Sequence, residues 1–255
     1  FLLFNFQANA ELIFNGIVLR ELHEGSSTGG TLILNPYISN SGPQHVRLII
    51  TSNNNQKVDN EWLKNVYLEI YYSENYQEDA ADFPLALCEK LTLPIYDKPT
   101  ESISFDWEFD ADINYNIENP LIEHAANLLE EHPNGLLEDV LVHYNRCWEI
   151  LNIGDTSAYQ SLNEQRIFRE STSMYYTEKE KGRYQAQLLA SVKKASGYML
   201  PIADYHLKIH ANGKIVSLLD AKGMSVLKSQ SEDGEVNTFG LYLYKDKSTG
   251  EFKVF

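Results

Sequence analysis

The chain has 255 residues, of which 43% are apolar and 22% charged, enough to hide roughly 70–75% of the unfolded surface without a metal or disulfide staple. Its 36 acidic residues against 21 Lys and Arg leave a formal charge of −15. That balance opposes nucleic acid and anionic membrane surfaces, whose affinity rests on cations that release counterions, and the apolar share excludes wholesale disorder.

The first 115 residues read as all-β. Phe1–Ala10 fits either the tail of a secretory signal, with Ala8-Asn9-Ala10 as a small-x-small cleavage site, or a strand. The alternation of Phe4, Phe6, Ala8 and Ala10 with Asn5, Gln7 and Asn9 favours the strand. Glu11–Phe14 and Ile17–Leu19 flank Asn15-Gly16, a dipeptide that accepts the positive φ angles of a two-residue hairpin turn. Further strands are expected at Thr31–Leu34, Val46–Thr51, Val66–Tyr72, Leu91–Ile95 and Ser102–Ile113. Short strands at this spacing, separated by turn residues, predict a sandwich over 1–115.

The pattern changes near Asn119-Pro120. Helical spacing covers Leu121–Glu131 and Leu136–Leu151, with His132-Pro133-Asn134-Gly135 as the expected break. Asp155 and Thr156 offer N-caps to a helix reaching about Tyr176, and Tyr184, Leu188, Val192 and Ala195 mark the face of another that ends before Gly197. Strands return at Tyr205–Ala211, Ile215–Leu219, Ser225–Ser229, Thr238–Tyr244 and Phe252–Phe255, with Asn212-Gly213 as a turn. The expected class is α+β: an antiparallel β-sandwich over 1–115, then over 116–255 a helical segment and a C-terminal antiparallel sheet packed with helices. The order of elements after about residue 136 loosely resembles the NTF2-like α+β cone. That resemblance implies helices on a curved sheet with a pocket between them, and implies no catalytic residues.

Three segments bear on chemistry. In Ser102–Ile113, alternation puts Ile103, Phe105, Trp107, Phe109 and Ile113 on one face and Asp106, Glu108, Asp110 and Asp112 on the other. Carboxylates two apart on a strand sit about 6.6–6.8 Å from each other, within reach of a shared row of Lys or Arg. Residues 74–112 hold 11 acids and two bases, a local charge of −9. Such a row belongs to a solvated outer face that discourages edge pairing, or to a docking surface for a basic protein. Calcium is disfavoured because the spaced acidic loop that wraps it is missing. Gly25-Ser26-Ser27-Thr28-Gly29 matches the nucleophile-elbow pattern, but β-like residues follow where that elbow needs a helix. Asp204, His206, Lys208 and His210 share one face of a strand, yet His206 and His210 stand about 13 Å apart there, too far for one metal.

Cys88 and Cys147 form no C-x-x-C motif, and fit one bridge or two thiols. His143 and Cys147 are one helical turn apart, but Trp148 beside them points to a core cysteine. Sixteen tyrosines, including Tyr72 and Tyr76 beside the acidic stretch, suit a contact surface. The sequence implies no cofactor and no metal. The expected function is a non-enzymatic, acidic protein-binding module of the immunity or inhibitor kind, using Asp106, Glu108, Asp110, Asp112, Tyr72 and Tyr76 against a basic surface. The alternative is a small-ligand binder or enzyme with Arg166, Tyr175, Asp204 and His206 lining a pocket in 116–255.

Overall fold

The structure is a computed structural model that describes every residue except 7–8, 23–27, 53–56, 65, 74–84 and 94, and only the backbone of 6, 22, 28, 62, 122 and 123. The chain divides into two compact units, Phe1–Asn114 and Tyr115–Phe255. It is α+β, with antiparallel sheets first, helices in the middle and an antiparallel sheet at the end.

The first unit contains β1 (Leu2–Phe6), β2 (Asn9–Phe14), β3 (Ile17–Leu22), β4 (Thr28–Leu32), β5 (Gly42–Thr51), β6 (Tyr67–Tyr72), β7 (Ala86–Leu91) and β8 (Ser102–Ala111), with a four-residue helix, α1 (Asn60–Leu63). Two four-stranded antiparallel sheets form, in the orders β4-β1-β6-β7 and β3-β2-β5-β8. Inward residues of both sheets, among them Leu2, Phe4 and Leu68 from one and Leu12, Leu48 and Phe105 from the other, share a single core. Side chains alternate faces along a strand, so the polar residues between them are left outside. The Asn15-Gly16 turn forms as expected, with φ of 48° and 81°.

Several boundaries differ from the sequence reading, each for a physical reason. The alternating N-terminus is two strands in different sheets, so one hydrophobic pattern serves both layers of the sandwich. The strand expected at Thr31–Leu34 ends at Leu32, because Pro36 opens a 3-10 turn at Asn35–Tyr37. The strand expected at Leu91–Ile95 lies earlier, at β7. The Thr92 carbonyl accepts from Trp107 Nε1 rather than from a neighbouring strand, Ile95 is exposed, and residue 94 lies outside the described residues. β8 stops at Ala111, which leaves Asp112 just beyond the strand.

The second unit comprises α2 (Pro120–Glu123), α3 (Pro133–Ile153), α4 (Thr156–Leu162), α5 (Glu164–Ser173), α6 (Glu178–Ala195), β9 (Tyr205–His210), β10 (Ile215–Asp220), β11 (Lys228–Gln230), β12 (Val236–Thr238), β13 (Leu243–Lys245) and β14 (Phe252–Val254). The main sheet has the order β14-β13-β10-β9, and β11 pairs with β12. The helix expected over 121–131 is cut to α2. Ala125 bridges to Asp246, the Ala126 N–H donates to the Lys245 carbonyl and the His124 carbonyl accepts from the Lys247 N–H, so backbone groups that would extend the helix are spent on the sheet. Pro133, expected to break a helix, starts one: at the first helical position its missing N–H costs nothing. The long helix expected from Asp155 divides at Asn163, whose buried side chain donates to the Tyr159 carbonyl. The strand expected at Thr238–Tyr244 splits into β12 and β13.

Leu136, Val140, Tyr144, Cys147 and Leu151 form the buried stripe of α3 and pack with Val192 and Ala195 of α6 and Val216 and Leu218 of β10. Their spacing of three and four is what brings them onto one helical face.

Candidate functional site

β8 is the edge strand of its sheet, and its pairing with β5 sets the character of the acidic face. The register places Arg47 opposite Asp106, His45 opposite Glu108 and Pro43 opposite Asp110. Arg47 Nε reaches Asp106 Oδ1 at 2.6 Å and His45 Nδ1 lies 3.3 Å from Glu108 Oε2. These side chains remain open to solvent, at 61% for Asp106 and 58% for Glu108, so neither pair removes its carboxylate from a partner's reach. Exposed pairs of this kind contribute about 0–1 kcal/mol and exchange readily for another cation. Asp110 is exposed, and no cation pairs with it among the described residues. Asp112, also exposed, follows the strand end.

Beneath the carboxylates the strand is anchored by its other face. Phe105 is buried and stacks on Trp107 at 5.6 Å, and Phe109 stacks on Phe14 at 6.2 Å. The acidic side chains therefore stand on a backbone held from behind, which limits the ordering a partner must impose.

Tyr72 belongs to the other sheet, where it ends β6 opposite Ala86 and is 51% exposed. The structure does not bring it onto the carboxylate face. Tyr76 lies outside the described residues, as does Ser27 of the nucleophile-like pattern.

The pocket residues suggested for the second unit have separate surroundings. Arg166 donates through Nε to Glu170 Oε1 at 2.9 Å and through Nη1 to the Gly240 carbonyl at 3.0 Å. The other oxygen of Glu170 accepts from the Tyr184 hydroxyl. Burial works against the Arg166 charge, but Glu170, with Tyr159 and Tyr184 beside it, together outweigh that effect and hold the guanidinium protonated. Burial, aided by Glu170, likewise raises the Tyr184 hydroxyl. This arrangement ties α5 to α6 and to the chain before β13. Tyr175 is half-exposed in a left-handed conformation, φ 56°, with its ring 5.2 Å from that of Tyr115. Asp204 and His206 are exposed.

Strand alternation puts His210 in the same row as His206, but His210 is buried. Its Nε2 shares a 2.7 Å hydrogen bond with Ser217 Oγ, and its ring meets that of Tyr242 edge-on. Nδ1 has no hydrogen-bond partner among the described residues. Burial, assisted by Lys208, pushes the imidazole down to about 4. Alternation alone does not distinguish His206 from His210; the covering of the sheet does.

Both cysteines are free thiols, Cys88 exposed and Cys147 buried. Burial pushes the Cys147 thiol up to about 12 against the opposing effect of Arg166, which suppresses the nucleophilic thiolate. Among the described residues, no group of three or more His, Cys, Asp and Glu side chains is placed to hold a metal, and no helix is long and apolar enough to cross a membrane. Comparison of the chain with protein-family models, with curated proteins and with solved structures gives no match.

Proposed function

We propose that the protein is a non-enzymatic binding module of the immunity or inhibitor kind, whose β5–β8 face docks a basic surface of a partner protein. The observation that carries this reading is the row Asp106, Glu108 and Asp110, exposed on the outer face of an edge strand whose inner face is locked into the core. Asp112 extends the row beyond the strand. The surrounding charge steers a basic partner from a distance, and the weak pairs with Arg47 and His45 give way on contact. The likeness of the second unit to an NTF2-like cone belongs to the same proposal. Its support is the succession of helices and antiparallel strands.

The test is the triple variant Asp106→Lys, Glu108→Lys and Asp110→Lys, compared with the parent chain in affinity capture from the source cell's lysate at low and high salt. All three positions are exposed, so the variant is expected to fold, which far-ultraviolet circular dichroism checks. The parent is expected to retain a stoichiometric protein partner that the variant loses and that high salt releases. Equal capture by a folded variant would remove this face from the function.

A further inference from the structure

The chain contains three Asn-Gly dipeptides, at 15–16, 134–135 and 212–213. This dipeptide carries its own chemistry. The backbone nitrogen of the glycine, on losing its proton, attacks Cγ of the asparagine side chain. The tetrahedral adduct collapses to a five-membered succinimide and expels the amide nitrogen as ammonia. Water then opens either ring carbonyl, giving aspartate or isoaspartate, and no oxidant or reductant is consumed. Glycine permits the attack because it has no Cβ to obstruct it. A fold suppresses the reaction by fixing the asparagine side chain, by engaging the glycine N–H or by locking the backbone.

The three sites differ in these respects. Asn15 is held at both ends of its amide: Nδ2 donates to the Tyr37 carbonyl at 3.1 Å and to Gln44 Oε1 at 2.8 Å, and Oδ1 accepts from the His45 N–H at 3.0 Å. Asn212 has an exposed side chain but lies in a locked backbone. Ala211, Asn212 and Gly213 are all left-handed, with φ of 50°, 52° and 92°. The Lys214 N–H closes this turn onto the His210 carbonyl at 3.1 Å, and Gly213 is buried where any Cβ would collide with the Asn127 side chain.

Asn134 lacks the side-chain hydrogen bonds that hold Asn15 and the buried left-handed turn that holds Asn212, and the backbone around it is only the terminal turn of a helix. Asn134 and Gly135 are exposed in the first turn of α3, immediately after Pro133. No hydrogen bond to the Asn134 side chain occurs among the described residues. The first backbone bond of the helix runs from the Leu136 N–H to the His132 carbonyl at 2.9 Å, so the Gly135 N–H precedes the ladder. His132, at the N-cap, supplies no side-chain acceptor, and open space surrounds the Gly135 Cα. The first four N–H groups of a helix lack intrahelical acceptors, and here a glycine in that turn further weakens it.

We infer that Asn134 is a spontaneous deamidation site, converting through a succinimide to aspartate and isoaspartate while Asn15 and Asn212 are protected by the fold. The aspartate product is accommodated, since a carboxylate in the first turn faces the positive end of the helix. The isoaspartate product adds a methylene to the main chain and displaces the turn that leads into Leu136.

The test is incubation of the intact chain at mildly alkaline pH, followed by peptide mapping that resolves asparagine, aspartate and isoaspartate at all three sites. A parallel sample in denaturant removes the protection. In the folded chain, conversion at 134 is expected to run several-fold ahead of that at 15 and 212, and in denaturant the three rates converge. Gly135→Ala, which meets no neighbour, is expected to slow conversion at 134 by more than an order of magnitude and leave the other two unchanged. Folded-state conversion at 134 no faster than at 15 and 212, or undiminished in Gly135→Ala, would overturn the assignment.

Discussion

Burial sets the behaviour of several titratable groups in the second unit, Cys147 among them, and His210 shows the consequence most directly. The unfolded imidazole titrates near its ordinary value, about 6.5, whereas the folded one is pushed down to about 4. The folded state therefore binds fewer protons between these values, and the stability contributed by neutral His210 is complete above pH 6.5 and declines as pH falls toward 4. The groups facing it are Ser217, Tyr242 and Lys208, and the one cation among them adds to the downward shift. The loss is on the order of 3 kcal/mol, from about 1.36 kcal/mol per unit. Denaturant unfolding measured from pH 7 to 4 should show this decline, and His210→Gln should flatten it. An equally steep decline in the variant would assign the acid sensitivity to other groups.

Among elements, the junction of α3 with the sheet is the least ordinary. Val216 on β10 faces Leu243 on β13, so continuing that register would bring Leu218 opposite Leu241. The Tyr144 hydroxyl stands between those two instead, accepting from the Leu218 N–H at 2.8 Å and donating to the Leu241 carbonyl at 2.5 Å. A helix side chain thus completes a sheet that the strands leave open. Tyr144→Phe keeps the packing but orphans a buried donor and a buried acceptor, each costing about 1–3 kcal/mol. The denaturant midpoint is expected to fall with the slope unchanged, and a variant as stable as the parent would show that the strands close by themselves. This insertion also explains how much was legible in advance. Local signals were readable: the Asn15-Gly16 turn, the alternation of β8 and the stripe of α3 each depend on neighbours in sequence. The ends and interruptions were not, because their causes lie far away. Ala126 stops a helix by donating to Lys245, and Tyr144 occupies the gap at Leu241. The acidic face divided the same way: its carboxylates followed from alternation, but their pairing with Arg47, 59 residues from Asp106, required the β5–β8 register.

At the scale of the whole molecule, each unit has a core drawn from its own residues, one from Leu2 to Ile113 and the other from Leu128 to Val254. A segment with its own core has what it needs to fold alone. Residues 1–114 and 115–255, expressed separately, are therefore each expected to unfold in a single cooperative transition. Salt should act on them differently. The first segment carries 17 acids against six bases, a net of −11, while the second carries −4 and builds ion pairs such as Lys228–Asp220, Lys245–Glu131 and Lys253–Asp246. Self-repulsion of the first is screened once added ions shorten the Debye length to about 10 Å or less, so its melting temperature should rise with salt. In the second, salt weakens attraction rather than repulsion, and partial burial of the pairs keeps that effect small, so its melting temperature should hold or fall slightly. Thermal unfolding of the two segments across a salt series reads both signs at once. Failure of either to fold would show that its core is not sufficient, and a larger salt stabilisation of 115–255 than of 1–114 would mean that net charge does not set the response.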